Sequence, residues 1–468
     1  MSISREDSVQ TISRKRSHAA DGEGGTGPVS DEVVLSSPAW DKRRALTTDL
    51  MERICNPSNL NQAFKKVKSN GGAAGVDGMT VDQLFDWIKA NKEAIISSLL
   101  DGSYKPQPVR SVEIPKPSGG IRRLGIPTCF DRFIQQAILQ VLQPIFDPTF
   151  SDSSFGFRPG RSAHDAVKKA SHYVNSGKQF VVDVDLEKFF DRVNHDILMS
   201  RLARSVGDKR LLKIIRRFLT AGHMKDGVVI QRGEGTPQGG PLSPLLSNII
   251  LDELDKEIER RGHSFCRYAD DCNIYVSSLA SAERVLQSIT RWLEKTLHLK
   301  VNITKSAAAP VEERKFLGYR ILSDGRLSVA KESLARFRKK LRDLTKRRTP
   351  RSVEKVAIDL TPFLRGWLNY FRLSQSKTLF YELDGWVRRR LRCIQLQQCK
   401  RFKTQVRFLV SKGISEINAK RHASSGKGKW RLSQTPVINK AMNNKWFELI
   451  GLFSLEKSYL LLKSNGTA

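Results

Sequence analysis

The chain has little cysteine and no long apolar run. Its six cysteines form no CxxC pair and have no histidine partner at zinc-ligand spacing, which argues against a structural zinc site and a disulfide framework. No apolar run approaches the roughly 18 residues of a membrane span, and the first residues lack the apolar segment of a signal peptide. We therefore expect reduced thiols, no membrane contact and a cytoplasmic location.

Acidic residues are also scarce. The 48 Asp and Glu stand against 80 Lys and Arg, which gives a formal net charge of +32. From Gly325 onwards there are 33 basic and 9 acidic residues, so a net charge of +24, three quarters of the excess, lies in the last third. This asymmetry indicates that the C-terminal region binds a polyanion such as a nucleic acid. A chain of 468 residues with 39% hydrophobic residues can form two or more domains.

Two adjacent carboxylates, Asp270 and Asp271, lie in a short turn between two strand-like runs. Neighbouring aspartates raise each other's pKa unless a cation lies between them, and hard divalent metals prefer oxygen ligands. A solvated Asp-Asp turn is the alternative, and this turn alone does not exclude it.

A second acidic segment, residues 179–191, is typical of a strand that runs into an aromatic pair. Asp183 and Asp185 are two residues apart and face the same side of an extended chain, so the strand period leaves open which of them faces a metal. A carboxylate from this strand beside Asp270 and Asp271 would complete a two-metal site of the kind that supports in-line phosphoryl displacement.

Seven blocks of residues, in this order and at this spacing, resemble the reverse transcriptases encoded by group II introns. The resemblance covers roughly residues 46 to 410. The matching blocks are Gly75–Gly78, Ile114–Gly119 with Arg122–Pro127, Phe155–Ser162, Asp185–Asp191, Thr236–Leu245, Tyr268–Asp271 and Lys315–Tyr319.

The resemblance implies an α+β fold: a right-hand polymerase with fingers, a palm with an antiparallel sheet and a helical thumb, followed by a basic helical C-terminal region. We expect a disordered tail over residues 1–42, fingers and palm over 43–320, thumb or maturase (domain X) helices over 325–400, and a basic DNA-binding-like region over 401–468. Helical spacing predicts a helix from Leu46 to Val67, one that begins near Pro241, and three amphipathic helices from about Val329. The first of these three should end by Pro350.

The resemblance also implies the roles of site residues. In the family the first catalytic carboxylate lies five residues before an aromatic that blocks a ribose 2′-hydroxyl, which selects Asp185 and Phe190 and leaves Asp183 as an outer-shell or structural acid. Asp185, Asp270 and Asp271 are then expected to hold two Mg²⁺ ions, for which Mn²⁺ could substitute. The expected nucleotide-contacting residues are Lys116, Arg122, Phe190, Gln238, Gly239 and Lys305. Arg123 stands where relatives have proline, so the choice between Arg122 and Arg123 stays open.

Nucleic-acid contacts are expected in two places. Arg158 and Arg161 flank a Gly- and Pro-containing loop and could touch template or primer phosphates. Lys339, Lys340, Arg347 and Arg348 lie on the basic face of the first thumb helix. The implied partners are group II intron RNA, an RNA template with a DNA primer, target DNA and dNTPs, in a nucleoid-associated protein that could be a homodimer. The His-Asn-His nuclease of many relatives is not expected, since His422 is the only histidine after His298.

Two functions remain open. The first is an RNA-directed DNA polymerase with maturase function, which assists splicing and mobility of its intron; a free-standing enzyme of host repair or defence is a variant of it. The second is an RNA-binding splicing factor that has kept the fold without polymerisation. The presence of all three carboxylates, Gln238 and Lys305 favours the first.

Overall fold

The fingers begin with helices that pack on a long buried helix. A computed structural model of the chain describes residues 47–115, 119–225, 228–230, 233–236 and 239–466, so the predicted tail and Leu46 lie outside the described residues. The first helices are α1 (Leu50–Cys55), α2 (Pro57–Asn70), α3 (Leu84–Leu100) and α4 (Cys129–Phe146). The single helix predicted up to Val67 is two helices, because Pro57 starts a new helix at a position that needs no backbone N–H.

A strand hairpin completes the fingers. Strands β1 (Val109–Pro115) and β2 (Ile121–Ile126) pair antiparallel, with Pro115 opposite Ile121. Strand β1 also pairs in parallel with β4 (His223–Lys225), which pairs antiparallel with β5 (Val228–Ile230). Residues 116–118, between β1 and β2, lie outside the described residues.

The palm is a four-stranded antiparallel sheet with strand order β6-β7-β3-β8. Its strands are β3 (Phe180–Asp185), β6 (Ser264–Tyr268), β7 (Asp271–Val276) and β8 (Ala307–Pro310). The helices of this region are α5 (Ala163–Asn175), α6 (Phe189–Arg192), α7 (His195–Ser205), α8 (Lys209–Thr220), α9 (Ser243–Arg260) and α10 (Leu279–Trp292). The helix predicted near Pro241 begins two residues later, at Ser243, and carries Pro244 in its first turn.

Side-chain alternation divides the palm sheet into two faces. Val182, Val184 and Ile274 lie in the main hydrophobic core with residues of α4, α9 and α10. Val181 and Tyr275 lie on the other face, in a second cluster with residues of α5. Because successive residues of a strand alternate in direction, Asp183 and Asp185 share the face of Val181 and point away from the main core.

The thumb follows a small sheet of strand order β11-β10-β9. Its strands are β9 (Lys315–Phe316), β10 (Tyr319–Ile321) and β11 (Leu327–Val329), and the thumb helices are α11 (Lys331–Leu344), α12 (Val353–Phe371) and α13 (Lys377–Gln398). The three predicted amphipathic helices are confirmed. The first of them ends at Leu344, before Pro350.

The C-terminal segment shares the hydrophobic core of the thumb. Its helices are α14 (Phe402–Ser411), α15 (Glu416–Ala423), α16 (Lys429–Leu432), α17 (Pro436–Ala441), α18 (Asn444–Leu449) and α19 (Leu455–Ser464). Leu409, Trp446 and Tyr459 belong to one buried cluster with Phe337 and Leu364 of the thumb helices. In addition, Asp384 of α13 accepts hydrogen bonds at the start of α19 from Ser454 Oγ (2.7 Å) and Leu455 N (3.0 Å). The boundary drawn at residue 400 therefore lies inside one packed unit.

All six cysteines are among the described residues, and each is buried and outside any disulfide. In the same part of the chain, no helix combines the length and the apolar character needed to cross a membrane.

Candidate active site

Strand register brings the three predicted metal-binding acids together at one end of the palm sheet. Asp185 is the last residue of β3 and lies directly across the ladder from Asp271, the first residue of β7. Asp270 is exposed and precedes Asp271 in the tight turn from β6 to β7. Directly opposed residues of an antiparallel pair carry their side chains on the same face, with Cβ atoms about 4.5–5.5 Å apart.

The acids repel one another and carry a local excess of negative charge. Burial, together with the neighbouring carboxylates of Asp183, Asp270 and Asp185, raises the pKa of Asp271 to about 7. Lys305 provides a cation nearby, with its Nζ 3.6 Å from Asp185 Oδ1, although both side chains are well exposed. A divalent cation would relieve this repulsion far more than one solvated ammonium group does.

The donor set fits such a cation in kind, because carboxylate oxygens are the ligands that Mg²⁺ prefers. Among the residues that the structure describes, no three Asp, Glu, His or Cys side chains lie close enough together to enclose a metal ion. The backbone thus brings the three carboxylates to one end of the palm sheet, and their side chains do not form a closed cluster.

Asp183 has a different partner. Its Oδ2 accepts hydrogen bonds from Arg314 Nη2 (2.5 Å) and Nε (3.0 Å), and Arg314 also donates to the carbonyl of Lys305. Burial raises the pKa of Asp183, while the Arg314 guanidinium opposes that rise. Asp183 is therefore engaged in a salt bridge beside the acidic cluster.

A cavity of about 1280 Å³ opens in front of the carboxylates, between the palm sheet and the thumb helices. Acids of the palm form one part of its wall. The remaining wall is largely basic and aromatic, although it also contains the acidic residues Glu312, Glu313 and Glu332. Its cationic and aromatic residues are Lys305, Arg314, Lys315, Arg320, Lys331, Arg336, Lys340, Phe337, Phe363, Trp367, Tyr370 and Phe371. Such a wall suits a ligand with a phosphate backbone whose reacting end meets the acids.

The turn that carries Asp270 and Asp271 involves two residues that the sequence analysis missed, Ala269 and Arg267. Ala269 adopts the left-handed conformation (φ 58°), which is unusual for a residue other than glycine. Its carbonyl accepts a hydrogen bond from Arg267 Nη1 (2.9 Å), and Arg267 is fully buried in an ion pair with Asp255. The available signal was a charged residue between the pairs Phe265–Cys266 and Tyr268–Ala269 in a strand-like run.

Phe189 and Phe190 differ in burial. Phe189 is 2% exposed and belongs to the main core, whereas Phe190 is half-buried at the edge of that core. The two rings meet edge to face, with centroids 5.1 Å apart. Phe190 is therefore the one of the pair with a surface left for contact with a ligand.

The residues expected to contact the nucleotide from the fingers are only partly described. Lys116 and Gln238 lie outside the described residues, as does the side chain of Arg122. Arg123 is exposed and forms an ion pair with Glu113 (3.4 Å). A Cβ added at Gly239 (φ 137°) would lie 2.4 Å from the carbonyl oxygen of Gly125, so this glycine permits close contact with β2.

Arg158 is engaged inside the protein, which argues against its predicted contact with nucleic-acid phosphates. Its side chain is 3% exposed and forms an ion pair with Asp147 (2.9 Å). It also donates hydrogen bonds to the carbonyls of Asp147, Ser151 and Ser154. The guanidinium group therefore makes its hydrogen bonds and its ion pair within the protein. Arg161, by contrast, is 28% exposed and pairs with the exposed Asp152 (2.6 Å).

The four basic residues predicted on α11 and just after it are all exposed, but they do not share one environment. Lys340 lines the cavity, whereas Arg347 lies over the ring of Trp430 at 5.2 Å. A second set of guanidinium groups extends this region. Arg389 lies 3.8 Å from the Trp430 ring centroid, and Arg342 and Arg390 flank the ring of Trp386 at 5.8 and 5.7 Å.

Comparison with known families identifies two matching segments. Residues 114–321 match the family described as reverse transcriptase (RNA-dependent DNA polymerase), and residues 334–411 match the group II intron maturase-specific domain. The first segment contains the palm sheet with its acids, and the second spans most of α11 to α14. Reverse transcriptase domains generally use divalent metal ions.

Several individual proteins are similar to parts of this chain. The chain is 33% identical over 314 residues to protein YkfC of Escherichia coli (strain K12), covering 58% of this chain and 82% of that protein. It is 39% identical over 210 residues to the group II intron-encoded protein LtrA of Lactococcus lactis subsp. cremoris, covering 45% of this chain but only 35% of LtrA. A chain of the partial Cas6-RT-Cas1–Cas2 complex is 27% identical, with coverage of 53% of this chain and 43% of that chain and a TM-score of 0.35.

Proposed function

This chain belongs to the family of reverse transcriptases and maturases encoded by group II introns, and from that premise we propose that it extends a DNA primer on an RNA template and assists the splicing and mobility of a group II intron. The observation that carries the proposal is the register that sets Asp185 opposite Asp271, beside Asp270 and at the wall of a largely basic cavity. Its proposed partners are intron RNA, an RNA template with a DNA primer, target DNA and dNTPs.

The proposed chemistry assigns a role to each part of the site. Asp185, Asp270 and Asp271 would hold two Mg²⁺ ions, which when bound supply charge stabilisation for in-line phosphoryl transfer. Lys305, whose Nζ lies 3.6 Å from Asp185 Oδ1, would meet the charge of a triphosphate. Lys116 and Arg122 would approach the triphosphate from the fingers, and Phe190 would exclude a ribose 2′-hydroxyl by contact.

Primer extension on an RNA template in the presence of Mg²⁺ tests this function. Asp185→Asn, Asp270→Asn and Asp271→Asn should each lower the extension rate by roughly 100- to 1000-fold, the usual cost of removing one charge-stabilising group. Asp183→Asn should be milder, because that carboxylate is committed to Arg314. Asp324→Asn is the matched control, since this exposed acid pairs with Arg326 and does not line the cavity.

Two results would contradict the assignment. If wild-type protein fails to extend the primer but promotes splicing, the chain is an RNA-binding splicing factor and not a polymerase. If Asp183→Asn is as damaging as Asp185→Asn, the wrong acid of β3 has been assigned to the metal.

For the maturase role, the structure supports an RNA-binding surface on the thumb, which we call the arginine–tryptophan surface: Arg342, Arg347, Arg389 and Arg390 around Trp386 and Trp430. Within the described part of the chain, none of these four arginines forms an ion pair with a carboxylate. Burial and then the charge of Arg347 lower the pKa of Arg390. Arg390 donates hydrogen bonds to Thr345 and to the carbonyl of Arg342, so it is held within the protein. Arg342, Arg347 and Arg389, which lack acidic partners among the described residues, are the groups of this surface that favour the binding of phosphates.

A further inference from the structure

A buried guanidinium group, that of Arg267, contacts the turn that carries two of the proposed metal-binding acids. All five N–H donors of Arg267 have an acceptor: two meet Asp255 (2.7 and 2.6 Å), one meets Ser154 Oγ (2.8 Å), one meets Asn248 Oδ1 (3.0 Å) and one meets the carbonyl of Ala269 (2.9 Å). Both Arg267 and Asp255 have 0% of their side-chain surface exposed. The bond to Ala269 is the one that reaches the turn.

The main chain of Arg267 fixes the same turn from a second side. Its carbonyl accepts from Phe155 N (2.9 Å), and its own N–H donates to the carbonyl of Ser153 (2.8 Å). Asn248, which accepts from the guanidinium, donates in turn to the carbonyl of Gly156 (2.9 Å). A Cβ added at Gly156 would lie 2.3 Å from Ala269 N, so the 153–156 loop lies directly against the turn.

The position of this cluster separates it from the metal site. Arg267 and its partner Asp255 lie on the side of the sheet covered by α9, while Asp185 and Asp271 lie on the opposite face. None of Arg267, Asp255, Asn248 and Ser154 lines the cavity in front of the carboxylates. The influence of Arg267 on the reaction therefore passes through the turn, directly at the carbonyl of Ala269 and by way of the 153–156 loop that packs against it.

We propose that Arg267 is a positioning residue of the polymerase site: by holding the carbonyl of Ala269, it keeps that residue in the left-handed conformation that sets Asp270 and Asp271 opposite Asp185. Left-handed backbone is disfavoured for alanine and persists only where its surroundings impose it. Without the hydrogen bond, the turn relaxes towards a commoner conformation and the acids lose their common geometry. The inference rests on the proposed polymerase function.

Arg267→Lys is the central variant. Lysine keeps a positive charge opposite Asp255, so the buried acid retains a cationic partner. A single ammonium group, however, cannot bond to Asp255 and to the carbonyl of Ala269 at the same time as the arginine fork does. We expect the Mg²⁺ concentration for half-maximal extension to rise at least tenfold, with the KM for primer-template unchanged. Direct Mn²⁺ binding, measured by electron paramagnetic resonance without substrate, should weaken by a similar factor.

A second substitution tests whether the effect passes through the turn. Glycine adopts positive φ without strain, so Ala269→Gly in the Arg267→Lys background should recover most of the lost Mn²⁺ affinity and extension. Arg210→Lys is the matched control for loss of an arginine fork, because Arg210, on α8, donates two hydrogen bonds to the buried Asp208 and none to the 268–271 turn. It should lower thermal stability while leaving Mn²⁺ affinity unchanged.

The outcomes separate the two proposals. Wild-type extension together with unchanged Mn²⁺ affinity in Arg267→Lys would overturn the positioning role, as would failure of Ala269→Gly to recover any of the loss. Wild-type Mn²⁺ binding that weakens in Arg267→Lys, without extension by either protein, would support the positioning role and overturn the polymerase function. Absence of both Mn²⁺ binding and extension in the wild type would overturn both.

Discussion

Replacing Arg158 with glutamine should unfold the palm more easily and should not remove a contact with nucleic acid. The substitution leaves Asp147 without its cationic partner and frees the carbonyls of Asp147, Ser151 and Ser154. Breaking a buried pair by removing one partner costs about 3–5 kcal/mol. Since Asp147 is 24% exposed, the lower end of that range applies.

The expected result is a large loss of stability with unchanged electrostatics of binding. A loss of about 3 kcal/mol lowers the thermal midpoint by roughly 6–12 °C for a unit of 150–250 residues. Circular dichroism on heating measures this shift. The slope of log affinity for RNA against log salt should stay at the wild-type value, because each lost phosphate contact would reduce it by about 0.7.

Arg161→Gln is the comparison within the same loop. Its ion pair with Asp152 is exposed and should contribute less than about 1 kcal/mol. If Arg158→Gln instead kept the wild-type midpoint and lowered the salt slope, the side chain would be reaching phosphates and the structural role would be refuted.

Two further predictions concern the site and the thumb. Phe190→Val should raise ribonucleotide relative to deoxynucleotide incorporation by roughly 10- to 100-fold in competition assays, whereas Phe189→Leu, in the core, should change stability and not this ratio; an unchanged ratio for Phe190→Val would assign it to the core as well. Reversal of Lys339, Lys340, Arg347 and Arg348 to Glu should impair intron RNA binding and splicing more than extension of a short saturating primer-template, since counterion release contributes most on a long RNA. Equal losses in the two assays would mean that this face only grips the primer-template duplex.

The acidic turn and its strand neighbours could be predicted because their signals are local. Asp270 and Asp271 lie between two strand-like runs, and the structure has the two strands and the turn in those positions. The strand period could not distinguish Asp183 from Asp185 as the metal ligand, since both side chains lie on the same face of the strand. The structure separates them through contacts distant in sequence: Asp183 meets Arg314, while Asp185 lies across from Asp271.

Which charged residues are buried could not be predicted from the sequence. Arg158 and Arg161 look alike in sequence, and only the tertiary contacts with Asp147 and nearby carbonyls show that one is enclosed and the other half open. The burial of Arg267 likewise depends on its ion pair with Asp255 on α9. Asp255 lies twelve residues earlier in the sequence, and no sequence pattern indicates this contact. A single sequence reports charge, whereas the burial of that charge depends on packing.

The common core of the thumb and the C-terminal segment determines how this polymerase can be recombined with its relatives. A graft that ended at Gln398 would remove Leu409, Trp446 and Tyr459 from the cluster around Leu364 and would leave Asp384 without the helix start that it caps. The newly bared apolar surface would favour aggregation. An exchange of the thumb helices must therefore include the C-terminal segment through Ser464.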